Sequence, residues 1–132
     1  MAALDRPVAK PRPIYLNLLR IRQPVPAIVS VLHRISGALL FLIGIPFVLW
    51  VTQHALASAQ GWEATRSALA QPFVKLVMLA LAWAYLHHLL AGIRHVIQDL
   101  HIGMQLKSSR TSAATVLVIS LLLTLGVAIR LW

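Results

Sequence analysis

The sequence predicts an all-α membrane protein with three transmembrane helices, its N-terminus in the cytoplasm, within a larger heteromeric helix bundle. Of its 132 residues, 59% are hydrophobic and only 11% are charged, whereas soluble domains are about a quarter charged. Three apolar runs are long enough to cross a bilayer, which takes about 20 residues each. The basic residues stand at the ends of these runs, where positive charge orients a membrane protein. Because three helices make a thin bundle, we expect partner helices.

Composition excludes several classes of function. The net charge is +9, but the basic residues are too sparse to indicate nucleic-acid binding. The absence of cysteine excludes disulfides, thiolate zinc sites and cysteine-ligated iron–sulfur clusters within this chain. The three acids are Asp5, Glu63 and Asp99, and none of them lies deep inside an apolar run. No carboxylate pair can therefore relay protons through the membrane. Any catalysis by this chain would need a bound cofactor.

Residues 1–27 are expected to form a retained cytoplasmic tail. The segment MAALDRPVAKPRPIYLNLLRIRQPVPA is basic and rich in proline, and it lacks the apolar core of a secretory signal. Its prolines also make it a poor amphipathic transit helix, which argues against a mitochondrial protein unless the chain is a mature form.

The three predicted helices span about residues 28–51, 73–97 and 113–131 of a single membrane-anchor domain, residues 1–132. Pro46 lies inside the first helix and is expected to kink it, a feature that membrane helices tolerate. The segments TQHALASAQGWEATRSALAQP and QDLHIGMQLKSSRTS are read as links, and we find no internal repeat.

The distribution of lysine and arginine predicts the orientation. The first link holds only Arg66, with Lys75 at the start of the next helix. The tail and the second link hold more positive charge, contributed by Arg6, Lys10, Arg12, Arg20, Arg22, Lys107 and Arg110. The positive-inside rule therefore places the tail and the second link in the cytoplasm. The opposite interface then carries Trp50, Trp62 and Trp132.

The second helix carries histidines in the stretch AYLHHLLAGIRHVIQD. His88 and His95 are seven residues apart, about two turns, so they share a face with Ala91 and Gly92 between them. Along the axis they are about 10 Å apart. A deep neutral imidazole on a face of small residues fits an axial ligand of haem iron. His87, about 100° away on the helix, is an alternative ligand, and a histidine that only bonds a neighbouring helix is another interpretation.

The stretch SVLHRISG places a second polar group at the start of the first helix. Ser30, Arg34 and Gly37 share a helix face, which His33 flanks. Arginine and histidine at this depth could hold anionic groups such as haem propionates, and serine with arginine could bond a quinone carbonyl. An arginine that only snorkels to the interface is the simpler alternative. The predicted topology brings one cluster to the cytoplasmic side, formed by His33, Arg34, His95 and Arg94.

Together these motifs resemble the cytochrome b556 membrane-anchor subunits of succinate dehydrogenase. The resemblance rests on SVLHRISG after a basic, proline-containing tail, and on H-x6-H with GIRH and an aspartate four residues later. It covers most of the chain. It implies pairing with a second three-helix anchor, one shared haem b, and docking of a flavoprotein subunit and an iron–sulfur subunit. Succinate would be oxidised at the flavin, and electrons would pass through the clusters to ubiquinone.

The resemblance also implies roles for individual residues. His88 matches the axial ligand of the haem iron, with the other ligand from the partner anchor. The vicinity of the haem propionates corresponds to His33, Arg34 and His95, and the quinone site to Ser30, Arg34 and Asp99. The doubled histidine departs from the family pattern: the register of GIRH selects His88, but His87 stays an alternative.

The expected protein is thus a multi-pass anchor subunit of the bacterial inner membrane. It belongs to an enzyme without itself oxidising succinate. Two alternatives remain at this point. One is a haem-free anchor in which His88 only packs, and the other is a small transporter subunit, against which the lack of intramembrane carboxylates and repeats argues.

Overall fold

The computed structural model describes Asn17 and residues 20–132, and over this part of the chain it contains helices and no strand. The predicted tail, residues 1–27, lies largely outside the described residues. Four helices follow in chain order, namely α1 (Val25–Ala57), α2 (Ala59–Leu69), α3 (Pro72–Asp99) and α4 (Leu106–Leu131). The all-α class is confirmed.

Three of these helices, α1, α3 and α4, are long and apolar enough to cross a membrane. The three predicted spans are therefore confirmed, although each helix extends beyond the predicted range. Apolar run length marks only the hydrocarbon core, and the helices continue through flanking polar residues. The predicted first link differs most, because α2 forms within it.

Local chemistry explains where the helices begin and end. Pro26 and Pro72 stand in the first turns of α1 and α3, where the fixed φ of proline suits a helix and its missing N–H has no intrahelical acceptor. After α3, His101 and Gly103 adopt φ values of 61° and 75°. This left-handed backbone reverses the direction of the chain within a few residues, and α4 begins directly after the turn.

Pro46 is accommodated by a π-helical turn within α1. The turn comprises Leu40–Gly44, and the N–H of Ile45 donates to the carbonyl of Leu40, five residues earlier. Proline supplies no N–H and crowds the carbonyl four residues before it. A widened turn immediately before Pro46 relieves both effects and is a recognised cause of helix bending.

The centre of the bundle is α3, which packs against both α1 and α4, while α1 also touches α4. The core cluster consists of Val29, Ala91, Ala113 and Val116. Because these side chains are small, the helix backbones can approach closely, as membrane helices prefer.

At the end of the bundle where α3 begins, Lys75 closes the last turn of α4. Its Nζ donates to the carbonyl of Leu131 at 2.7 Å and lies 5.4 Å from the ring of Trp132. A cation at a helix C-terminus satisfies free carbonyls and complements the helix dipole.

Candidate functional site

Three histidines from α1 and α3 form one cluster. The rings of His33 and His88 stack with centroids 4.0 Å apart and planes 14° apart. The ring of His95 lies 5.1 Å from that of His33 at 57°. His88 and His95 both meet the same residue of α1, which confirms the predicted shared face.

Hydrogen bonds determine the tautomer of His88. Its Nδ1 lies 2.9 Å from the backbone carbonyl of His33 and 3.2 Å from Oγ of Ser36. The Ser36 hydroxyl donates to that same carbonyl at 2.9 Å, so toward His88 it offers a lone pair. Nδ1 must therefore carry the hydrogen, which leaves a lone pair on Nε2 of the neutral ring.

Gly37 provides the space for the ring of His88. A Cβ at position 37 would lie 2.8 Å from Cε1 of His88, closer than real Cβ contacts. Gly37, which the helical spacing predicts on one face with Ser30 and Arg34, faces His88 of α3 and lies one turn beyond His33.

This arrangement fits an axial ligand of haem. An imidazole whose Nδ1 donates to a carbonyl is held in orientation, with its Nε2 available to a metal. His88 is half-buried and lines an open groove of about 350 Å³ together with Gly92 and apolar residues of α3. Within the described residues, no three histidine or carboxylate side chains converge to hold a metal ion by themselves. A macrocycle that brings its own four nitrogen ligands would need only one ligand from this chain, which His88 offers.

His87 has a different environment. Its side chain is 0% exposed and stacks on Trp83 with centroids 5.3 Å apart. Neither ring nitrogen has a hydrogen-bond partner among the described residues. The ring is enclosed by this chain's own helices, so a flat macrocycle cannot reach it. The geometry favours His88 over His87 as the ligand candidate.

The predicted quinone residues lie around the same end of the bundle, and no ion pair joins them within the described part of the chain. Ser30 is half-buried, and Arg34, one turn later on α1, is exposed. Asp99 is the exposed last residue of α3. The described residues contain one ion pair, between Glu63 and Arg66 on α2, so Arg34 and Asp99 are not joined. Both remain open to the bilayer or to a partner.

Arg94 corrects the predicted cluster of His33, Arg34, His95 and Arg94. Its side chain points to α4, where Nε donates to Oγ of Ser112 at 3.0 Å. Its Nη2 donates to the carbonyl of Ser109 at 3.2 Å and to its Oγ at 3.0 Å. Adjacent residues on a helix point about 100° apart, so Arg94 cannot share the direction of His95.

Sequence reasoning missed Ser36 and the two serines that bind Arg94. Ser36 stands three residues after His33, so helical spacing could have placed it beside that side chain. Arg94 likewise follows Ala84, His87 and Ala91 at helical spacing, and this is the buried face of α3. A search for that periodicity would have separated it from His95.

Comparison with known proteins decides the family. The sequence model of the family described as succinate dehydrogenase/fumarate reductase transmembrane subunit matches residues 8–127. The chain belongs to this family.

Curated relatives agree with the family match. A succinate dehydrogenase cytochrome b556 subunit of Coxiella burnetii is 35% identical over 122 residues, covering 92% of this chain and 97% of the relative. The subunit of the same name from Paracoccus denitrificans is 28% identical over 112 residues, 85% of each chain. That of Rickettsia typhi is 25% identical over 125 residues, 95% of this chain and 97% of the relative.

Family membership confirms the resemblance drawn from the two motifs. The chain is a membrane subunit of a family whose relatives are parts of an enzyme complex, succinate dehydrogenase. With three apolar helices it is a multi-pass protein of the bacterial inner membrane. The alternative of a small transporter subunit finds no support in this family.

Proposed function

We propose that this chain is the anchor subunit of a succinate:quinone oxidoreductase that binds haem b and forms part of the ubiquinone site. The supporting observation is the orientation of His88, whose Nδ1 is engaged by the carbonyl of His33 at 2.9 Å. This leaves Nε2 ready for a metal. The cytochrome b556 name of the relatives makes haem b the metal centre to test.

In this proposal His88 would hold the haem iron from this chain, and a second membrane-anchor subunit would supply another ligand. His33 and His95 lie beside His88 and could bond the propionates, together with the exposed Arg34. Bound haem would supply one-electron redox chemistry at this end of the bundle. Ser36 and Gly37 act indirectly, one by bonding the ring of His88 and the other by making room for it.

The quinone site would use Ser30, Arg34 and Asp99. The Ser30 hydroxyl and the Arg34 guanidinium can donate hydrogen bonds to a quinone carbonyl. The positive charge of Arg34 would stabilise negative charge as two electrons arrive. Two protons complete the quinol, and we assign their delivery to water and to nearby histidine and aspartate side chains. A lipophilic quinone can enter from the bilayer, because Arg34 is exposed at the protein surface.

The end of the bundle that carries these residues would face the cytoplasm, where an iron–sulfur subunit and a flavoprotein subunit would dock. Succinate would be oxidised at the flavin of the partner, not by this chain. The many exposed apolar side chains, such as Phe41 at 69% and Ile129 at 72%, are consistent with a bilayer and a second anchor around this subunit.

The test is a reduced-minus-oxidised optical spectrum of the purified complex. We expect a b-type band in the wild type that is lost or shifted in His88→Leu. His87→Leu is the matched control, because it changes the adjacent buried ring and should keep the band. A band that is unchanged in His88→Leu and lost in His87→Leu would move the ligand to His87. No band in the wild type would leave a haem-free anchor.

A further inference from the structure

Arg94 is a buried charge that has no counter-ion among the described residues. Arg94 is 6% exposed and lies within the membrane-spanning helix α3. Its hydrogen-bond partners are the neutral oxygens of Ser109 and Ser112. In the described part of the chain the one ion pair joins Glu63 to Arg66, so no carboxylate reaches Arg94. A charge inside a membrane span is costly, and such charges are almost always paired.

The two serines orient the guanidinium. Their hydroxyl oxygens accept hydrogen bonds from Nε and Nη2, and these two bonds fix the plane of the guanidinium group. Among the described residues Nη1 has no acceptor, so its two N–H groups remain available. Arginine's planar donors match the oxygens of a phosphate or a carboxylate, and the bonds to such anions are strong.

A groove of about 450 Å³ between α3 and α4 is lined by Arg94. Near the end of α3 and the start of α4, its wall combines the polar residues Gln98, Ser108 and Thr111 with the apolar Ile97 and Ile102. Farther along the two helices, its wall is formed by Leu90 and Val116, and Thr115 contributes one hydroxyl. The groove therefore has a largely apolar wall that carries its cation and most of its polar side chains toward one end, which suits an amphiphile.

We propose that this groove binds the phosphate of an anionic glycerophospholipid at Arg94, with an acyl chain along its apolar wall. The phosphodiester supplies the negative charge that the buried guanidinium lacks among the residues the structure describes. The apolar continuation and the position within a span favour a lipid over free phosphate. The site is separate from the histidine cluster, because Arg94 faces α4 while His88 and His95 face α1. It does not depend on the proposed haem and quinone chemistry.

The experiment measures phosphatidylglycerol bound to the purified complex after exchange into neutral detergent, by native mass spectrometry. We expect Arg94→Gln to weaken retention about tenfold, since a hydrogen bond to a charged group contributes about 1.5 kcal/mol or more. Arg110→Gln is the matched control. It removes one exposed positive charge from α4 near the same end of the bundle and should retain the lipid as the wild type does.

Several results would overturn the proposal. These are equal retention by Arg94→Gln and wild type, equal retention of phosphatidylglycerol and zwitterionic phosphatidylcholine, or displacement by inorganic phosphate. A wild-type complex that retains no phosphatidylglycerol would also overturn it, and a partner's carboxylate would then be the counter-ion. The b-type spectrum is recorded on each variant. If the wild-type complex shows no b-type band, the proposed function is contradicted. The lipid measurement does not depend on that band and still tests the present proposal.

If the Arg94→Gln complex does not assemble, lipid binding in the groove can still be tested on the wild-type complex. A photoactivatable phosphatidylglycerol is added, cross-linked and mapped by peptide mass spectrometry. Cross-links within residues 90–98 and 108–116 support the proposal. Cross-links confined to α1, or none above the level of a photoactivatable phosphatidylcholine, overturn it.

Discussion

The contact between Gly37 and His88 shows how one missing side chain shapes the site. A Cβ at position 37 would lie 2.8 Å from Cε1 of the imidazole, and Nδ1 of the same ring is held by Ser36 and the carbonyl of His33. The ring therefore cannot move away without losing its hydrogen bonds. The role of Gly37 is steric and not conformational.

We predict that Gly37→Ala shifts the ring of His88 and destabilises the subunit by about 1–3 kcal/mol, the usual cost of overpacking. The b-type band of the purified complex should shift or weaken, and thermal denaturation should begin at a lower temperature. Gly126→Ala on α4 is the matched control, because no atom of the described residues lies within 4 Å of the Cβ that it adds. A normal spectrum in Gly37→Ala would contradict the steric role.

Arg34 carries the second prediction at this scale. In Arg34→Leu we expect electron transfer from succinate to ubiquinone to fall at least about tenfold, because a charged donor to the quinone carbonyl is lost. Transfer from succinate to a soluble dye acceptor should be unchanged, since the flavoprotein is not altered. Arg66→Leu on α2 is the control. Quinone reduction at the wild-type rate in Arg34→Leu would refute the assignment.

At the scale of elements, α2 is the feature that the apolar pattern does not reveal. Ala59–Leu69 lies between two spans and is too short and too rich in polar side chains to cross a membrane, so a search for membrane segments reads it as a link. Its local signal is the N-cap, where Oγ of Ser58 accepts from the N–H of Gly61 at 2.9 Å. Gly61 is required there, because a Cβ would collide with the backbone oxygen of His54.

Ser58→Ala should destabilise α2 by about 1 kcal/mol, the typical cost of losing an N-cap. Hydrogen exchange of backbone amides in residues 59–69 should then become about fivefold faster in the purified complex. Ser67→Ala is the matched control, since Ser67 is exposed within the same helix. Equal exchange in the two variants would show that the cap does not stabilise α2.

At the scale of the whole molecule, the described core is small. The cluster of Val29, Ala91, Ala113 and Val116 joins the three spans, while most large apolar side chains face outward. In water such a surface would aggregate, whereas in a bilayer it is the required exterior. The subunit is therefore organised for lipid and partner helices.

The orientation in the membrane gives a prediction at this scale. The chain has no cysteine, so single introduced cysteines report their own side. Ser67→Cys should react with a membrane-impermeant maleimide in intact spheroplasts. Met104→Cys, exposed in the turn between α3 and α4, should react only in inverted vesicles. Denatured membranes, where both must react, provide the control, and the reverse pattern would contradict a cytoplasmic N-terminus.

The sequence by itself determined the membrane class, the three spans and the family, because these follow from run length, composition and motif order along the chain. It also predicted that His88 and His95 share a face, since that depends on the period of one helix alone. Only the tertiary structure decided that Gly37 seats His88, that His87 is enclosed, and that Arg94 turns to α4. These depend on how each helix is rotated about its axis and which neighbour it meets. Helical periodicity leaves that rotation open, and packing between helices decides it.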